Sequence, residues 1–117
     1  MKVIVAGSRN FKDYTYLENY LDYLFKNNKP DVIISGMARG ADTLALRYAK
    51  EHNIKVIEMP ADWSIGMHAG HVRNEAMARI ATHCVIFWDG VSTGTKNMLS
   101  LCKKYELKHR VKIYENM

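Results

Sequence analysis

Short apolar runs alternate with helix-periodic segments along the whole of this 117-residue chain, and few folds accept that order. Lys2 to Ala6 is a continuous apolar run ended by Gly-Ser, as for a strand buried on both faces. Asp31 to Ser35, Ile54 to Met59, Cys84 to Trp88 and Arg110 to Tyr114 complete a set of five strands. Polar residues alternate through Ile54–Met59, which marks it as an edge strand. Between the strands, Phe11 to Asn28, Ala41 to Glu51, His71 to Thr82 and Lys96 to Leu107 carry apolar residues at three- and four-residue spacing. In the first of these the spacing picks out Leu17, Tyr20, Leu21, Leu24 and Phe25. Asp13 is placed to cap the first helix and Asp42 the second.

Strict alternation of this kind builds βαβ units, with a parallel sheet and helices on both faces. The expectation is one domain over 1–117, an α/β minimal Rossmann-like fold with a five-stranded parallel sheet in the order 3-2-1-4-5. That order reverses between the first and fourth strands, and ligands collect outside the carboxyl ends of strands at such a point. No apolar run approaches the roughly 20 residues that span a bilayer, and no apolar segment of signal-peptide length follows Lys2. A cytoplasmic protein with no membrane partner is expected. Cys84 lies in an apolar run and Cys102 in a helical pattern, so both read as reduced interior thiols.

Three turns should meet at the switch point: Gly7-Ser8-Arg9-Asn10, Ser35-Gly36-Met37-Ala38-Arg39-Gly40-Ala41-Asp42, and Asp89-Gly90-Val91-Ser92-Thr93-Gly94-Thr95. Each brings glycine, hydroxyls and free backbone N–H groups to a helix amino terminus, where the helix dipole favours an anion. Arg9 and Arg39 add charge-assisted donors. A single glycine-containing turn is ordinary punctuation, but three at neighbouring strand ends point to a phosphate-bearing, nucleotide-like ligand. The long segment Pro60 to Gly70 exceeds the usual 2–6-residue connection and brings Asp62, Trp63 and His68 towards the same end.

Other chemistries find little support. Gly90 to Lys96 runs G-x-x-x-G-T-K and departs from the G-x-x-x-x-G-K-[ST] phosphate loop, and no G-x-G-x-x-G follows the first strand. The five histidines, His52, His68, His71, His83 and His109, are scattered, and no metal site is expected. No cofactor is expected. Asp42, Asp62, Glu75 and Asp89 are the acid–base candidates. The net charge of +5 permits an anionic partner and leaves nucleic acid open, through Lys103, Lys104 and Lys112.

The run S-G-M-A-R-G-A-D-x-L-A, then P-A-D-W, then G-x-x-A-G-x-x-R-N-E-A-M, then D-G-x-S-x-G-T resembles the SLOG superfamily, which includes the Lonely Guy phosphoribohydrolases and DprA. The resemblance spans Val3 to Tyr114 and points to the YspA-like branch. It implies a bacterial or phage protein that binds a nucleotide-derived ligand and assembles as a homo-oligomer. Carried over by position, the ligand residues are Gly7, Ser8 and Arg9; Gly36, Arg39, Gly40 and Asp42; Arg73 and Asn74; and Gly94 and Thr95, to which the turns and the long loop add Ser35, Asp62, Trp63, His68, Asp89, Gly90 and Ser92. Met98 stands where the Lonely Guy pattern P-G-G-x-G-T-x-x-E carries its catalytic glutamate. The implied activity is therefore binding, as a sensor or sequestering module, of a ligand such as an ADP-ribose derivative or nucleotide signal. A phosphoribohydrolase using Asp62 or Glu75 is the first alternative, and single-stranded nucleic-acid binding in the manner of DprA the second.

Overall fold

The computed structural model describes residues 1–115. Its sheet runs β3-β2-β1-β4-β5 with every neighbouring pair parallel, the order expected from the alternation. The strands are β1 (Lys2–Gly7), β2 (Val32–Ser35), β3 (Lys55–Glu58), β4 (His83–Trp88) and β5 (Lys108–Ile113). The helices are α1 (Tyr14–Phe25), α2 (Ala41–Glu51), α3 (Ala69–Ile80) and α4 (Thr93–Lys104). The central strands β1 and β4 are the ones with unbroken apolar runs, and both bury four consecutive residues. β3 holds an edge with no residue fully buried, as its polar alternation foretold.

Two apolar layers lie on opposite faces of the sheet. Val3, Val5, Ile33, Val85 and Phe87 face Leu17 and Leu21 of α1 and Ala45, Tyr48 and Ala49 of α2. Ile4, Ala6, Ile34, Cys84 and Ile86 face Met77 and Ala78 of α3 and Met98, Leu101 and Cys102 of α4. Alternate residues of one strand thus serve different layers, as the period-two geometry requires. Both cysteines are buried and unlinked.

Helix boundaries differ from the periodic pattern in ways that matter for the site. α1 begins at Tyr14 because Asp13 accepts the Tyr16 N–H at 3.0 Å, and Phe11 stays outside the helix to stack on Phe87 at 5.0 Å. α3 starts at Ala69, two residues before His71, because the His68 carbonyl accepts the N–H groups of His71 and Val72. α4 starts at Thr93, three residues before Lys96, so Gly94 and Thr95 belong to its first turn. The carbonyl of Ser92 accepts the Lys96 N–H at 3.1 Å and closes that turn. Asp42 is not the cap of α2: Gly40 holds that position, at φ 83°, and makes no side-chain cap bond.

β1 and β4 approach closely where the chain leaves the sheet. Ser8 N–H donates to the Phe87 carbonyl at 2.9 Å. A Cβ on Gly7 would run into that carbonyl and lie 2.8 Å from the Ala41 Cβ. Gly7→Ala is expected to cost at least about 2 kcal/mol by forcing β1, β4 and the start of α2 apart. Urea unfolding checks this, and an unchanged midpoint would contradict the packing described.

Candidate functional site

A cavity of about 520 Å³ opens at the carboxyl ends of β1 and β4, the switch point of the sheet. Its walls include Gly7, Ser8 and Arg9 from the first turn, Asp42 from α2, Trp63 from the long loop, Arg73 and Asn74 from α3, and Ser92, Gly94 and Thr95 at the start of α4. A second cavity of about 620 Å³ adjoins it, lined by Gly36, Arg39, Pro60 and Ala61. Arg9, Ala38, Trp63 and Arg73 face both cavities, so the two are lobes of one groove.

The third turn is built to present the amino end of α4. Asp89 accepts the N–H groups of Val91 at 3.0 Å and Ser92 at 2.8 Å, and the Ser92 hydroxyl at 2.8 Å. Burial pushes the Asp89 carboxyl up, but these donors and the Ser8 hydroxyl outweigh it and hold it down at about 2. Trp88 pins the same turn by donating its indole N–H to the Ser92 carbonyl at 3.1 Å. The Ser92 hydroxyl, committed to Asp89, does not cap the helix. The N–H groups of Thr93, Gly94 and Thr95 therefore find no acceptor among the described residues. A Cβ added at Gly94 would meet nothing within 4 Å, so the missing side chain leaves room for a group from outside.

The second turn is organised by Ser35 and Asp42. The buried Ser35 hydroxyl donates to the Asp42 carbonyl at 3.0 Å and accepts the Met37 N–H at 3.2 Å. Arg73 reaches across from α3 and donates to the Gly36 carbonyl. A Cβ on Gly36 would lie 2.5 Å from the Arg73 Nη1 and 2.9 Å from the Asp42 Oδ2, so glycine there makes way for the guanidinium. The Arg73 Nε–H donates to Asn74 Oδ1 at 2.9 Å, and Asn74 Nδ2 donates to the Gly94 carbonyl at 3.3 Å and to Asn97 at 3.0 Å. One bonded chain thus runs from the second turn through α3 to the third.

Charge in the groove is net positive. Arg9, Arg39 and Arg73 make no ion pair among the described residues. Asp42 is the carboxylate that faces the cavity. It is 4% exposed, and burial pushes it up to about 6 against the pull of the Ala38 N–H, Arg73, the Gly7 N–H and Arg9. Burial also lowers Arg73, with Asp42 opposing and Arg9 adding to the effect. The structure gives Asp42 a role that capping did not suggest.

The remaining expected residues fall outside the cavity walls. Gly40 packs against the backbone of Ser8 and Arg9, and Gly90, at φ 85°, supplies the positive-φ corner of the third turn. Asp62 caps the 3-10 turn Trp63–Ile65 by accepting the Ser64 N–H at 3.1 Å, and bonds with Ser64 hold its carboxyl low. His68 occupies the cap position of α3, while His71, one turn on, lines the cavity. Glu75 pairs with Arg79 at 2.9 Å and Lys104 at 3.4 Å, outside the cavity walls. The cavity also recruits Asn10, Met67, Gly70 and Thr93, which lie in the marked turns and loop but were not expected as ligand residues. Asn10 accepts the Tyr114 hydroxyl and donates to Asp89 at 3.3 Å, a link across the first and third turns that no local spacing reveals. Among the described residues, the one His–carboxylate group close enough to share an ion is Glu18, Asp22 and His52. It lies between α1 and α2, away from the cavity, and its members are bonded to each other and to Tyr48.

The site is thus a glycine-lined, arginine-rimmed groove at the switch point of a Rossmann-like sheet. The YspA, cpYpsA-related SLOG family (YAcAr) matches residues 1–66, and the chain belongs to that family. The gene 61 protein of Mycobacterium phage D29 is 35% identical over 111 residues, spanning 88% of this chain and 89% of that protein. A phage relative accords with the bacterial or phage setting implied by the motifs. Among the described residues no helix is long and apolar enough to cross a membrane.

Asp42 makes stability depend on pH. The folded protein holds its proton up to about pH 6, against an ordinary value of 3.8, so its contribution is fully present below the ordinary value and is lost as pH rises through about 6. Asp42→Asn is expected to remove that slope. Between pH 4 and 7 the stability difference should move in the variant's favour by about 2–3 kcal/mol. Urea titrations at the two pH values test this, and parallel pH profiles for variant and parent would refute it.

Proposed function

We propose that the protein binds a nucleotide-derived, phosphate-bearing small molecule, such as an ADP-ribose derivative or a nucleotide signal, and holds it intact. One observation carries the reading: three acceptor-less N–H groups in the first turn of α4 face a cavity kept open by Gly94. A phosphate there completes their hydrogen bonds and meets the positive end of the helix dipole. Arg73 and Arg9 supply the counter-charge, and the adjoining lobe beside Trp63 offers a ring face and width for a base or second sugar.

Several features favour holding over hydrolysis. Met98 is buried in the α3–α4 layer and supplies no proton. Glu75 is engaged by Arg79 and Lys104, and Asp62 by Ser64. Asp42 reaches the cavity, but backbone N–H groups of Ala38 and Gly7 occupy its carboxylate. A general acid or base needs a free oxygen within hydrogen-bond reach of the bond it acts on.

Calorimetric titration with ADP-ribose, AMP and cyclic dinucleotides tests the reading. At least one is expected to bind. Gly94→Ala should leave thermal stability equal or slightly raised, since alanine suits a helix better by about 0.5–1 kcal/mol, yet weaken binding at least tenfold by filling the phosphate space. Arg73→Ala should weaken it by a similar factor through loss of a charged donor worth about 1.5–3 kcal/mol. Absence of binding by every phosphate-bearing compound sinks the proposal, and release of free base would replace it with the hydrolase alternative.

A further inference from the structure

A separate cavity of about 400 Å³ opens at the end of the sheet opposite the groove, where β1, β4 and β5 begin and α1 stops. It exists because α1 ends at Phe25, before it has covered the amino ends of these strands. Farther along β5 the same face of the sheet is closed by side chains. Lys112 lies 5.0 Å above the Tyr20 ring, and the following Tyr114 packs on Phe11 at 4.8 Å. Residues two apart on a strand share a face, so Lys108 and Arg110 belong to this side of β5 as well. The parallel register agrees, since Arg110 is level with Val85, a member of the core layer under α1. Unlike Lys112, Lys108 and Arg110 are exposed.

The cavity has an apolar floor and a cationic rim. Val3 and Val85 are buried at its base, and Leu24 and Phe25 flank them from α1. Lys108 and Arg110 make no ion pair among the described residues. The Lys108 side chain makes no hydrogen bond among them, and Arg110 commits only its Nη1 group, to the His109 carbonyl at 3.2 Å. No Asp or Glu lines the cavity, and the nearby Asp31 is engaged by the amino group of Met1. His83, on the same wall, is held below its ordinary value by burial and then by Lys108 and the amino terminus, which reflects a positive local field.

These walls make two demands on an occupant. The floor gains from contact with hydrocarbon, and the two open cations gain from an acid group. A cavity lined mainly by apolar side chains with a few convergent polar groups is the usual form of a small-molecule site. Dense negative charge does not suit it. The recess borders the carboxyl end of α1, where the helix dipole opposes an anion, and it has none of the glycine turns of the groove. One carboxylate held by two side-chain cations meets both conditions. We propose that this recess binds an amphipathic monoanion, an apolar acyl or aryl body that carries one carboxylate. The body lies against Val3, Leu24, Phe25 and Val85, and Lys108 and Arg110 hold the acid group. The recess is at the opposite end of the strands from the groove and does not depend on the ligand proposed there. No local spacing reveals it, because Leu24 and Phe25 lie far from Lys108 and Arg110 in the chain.

Amide-resolved NMR of the full chain, titrated with decanoate and with naphthoate below any micelle-forming concentration, tests the proposal. At least one should give saturable shifts at Asn28, Val85, Lys108 and Arg110, and the one that binds assigns the body as acyl or aryl. Its neutral counterpart, decanol or naphthylmethanol, should bind at least about tenfold more weakly. Lys108→Glu and Arg110→Glu should each weaken binding by at least about tenfold. Asn28→Trp, at an exposed position on the rim, should block the recess while urea unfolding stays unchanged. Lys55→Glu, the same charge change on the opposite edge of the sheet, should have little effect. An excess of ADP-ribose should not displace the carboxylate. Absence of saturable shifts with both compounds would overturn the proposal. So would equal affinity for the neutral counterpart, equal losses for Lys55→Glu and Lys108→Glu, or shifts centred on Thr93 to Thr95 instead of the recess.

Discussion

The reach of Arg73 and Asn74 across the top of the sheet is the interaction on which the site depends. Their side chains bond to each other, to the Gly36 carbonyl on one side and to the Gly94 carbonyl and Asn97 on the other. The second and third turns leave strands that are not neighbours, since β1 separates β2 from β4. Without a bridge their spacing would depend on loop conformation alone. With it, the guanidinium and the amino end of α4 are held on either side of one cavity. Preorganisation of this kind reduces the ordering cost of binding a small anion.

Glycine has two separate uses around that bridge. Gly7, Gly36 and Gly40 are places where the protein approaches itself: the Phe87 carbonyl, the Arg73 guanidinium and the Ser8 backbone occupy the space of a side chain. At Gly94 the space is empty and faces the cavity. A glycine-rich pattern alone does not distinguish these uses, although one concerns close packing and the other open space in the cavity wall. Asp42 adds a third element. Its buried carboxyl, pushed up to about 6, places a removable negative charge beside two arginines. The anion binding proposed for the groove would thereby be coupled to pH in a range where a pyrophosphate diester does not itself titrate.

Much of this was legible in the chain. Period-two and period-3.6 patterns revealed five strands and four helices, and the sheet order followed from topology, because a switch point is the common solution for βαβ units. The turns at Gly7–Asn10, Ser35–Asp42 and Asp89–Thr95 stood out by composition, and Gly7, Ser8, Arg9, Trp63, Arg73, Asn74 and Gly94 do line the groove. Long-range contacts were not legible. The start of α4 at Thr93 depends on Asp89 and Trp88 organising the turn before it, which hides an amino terminus behind what reads as a loop. Asp42 reads as a cap by position, yet its carboxylate leaves the helix for the Ala38 N–H. His71 enters the cavity walls through three-dimensional placement, and Asn10, though part of the first turn, owes its place to bonds with Tyr114 and Asp89 that no spacing reveals.

The central claim is that phosphate meets the first turn of α4, and amide-resolved NMR of the labelled protein addresses it most directly. On addition of ADP-ribose or whichever panel member binds, the N–H resonances of Thr93, Gly94 and Thr95 should show the largest shifts, with those of Gly7 to Asn10 following. Saturating shifts at those positions, with α1 and β5 unmoved, are the predicted result. Binding that leaves the α4 amides unshifted while perturbing another surface would contradict the account.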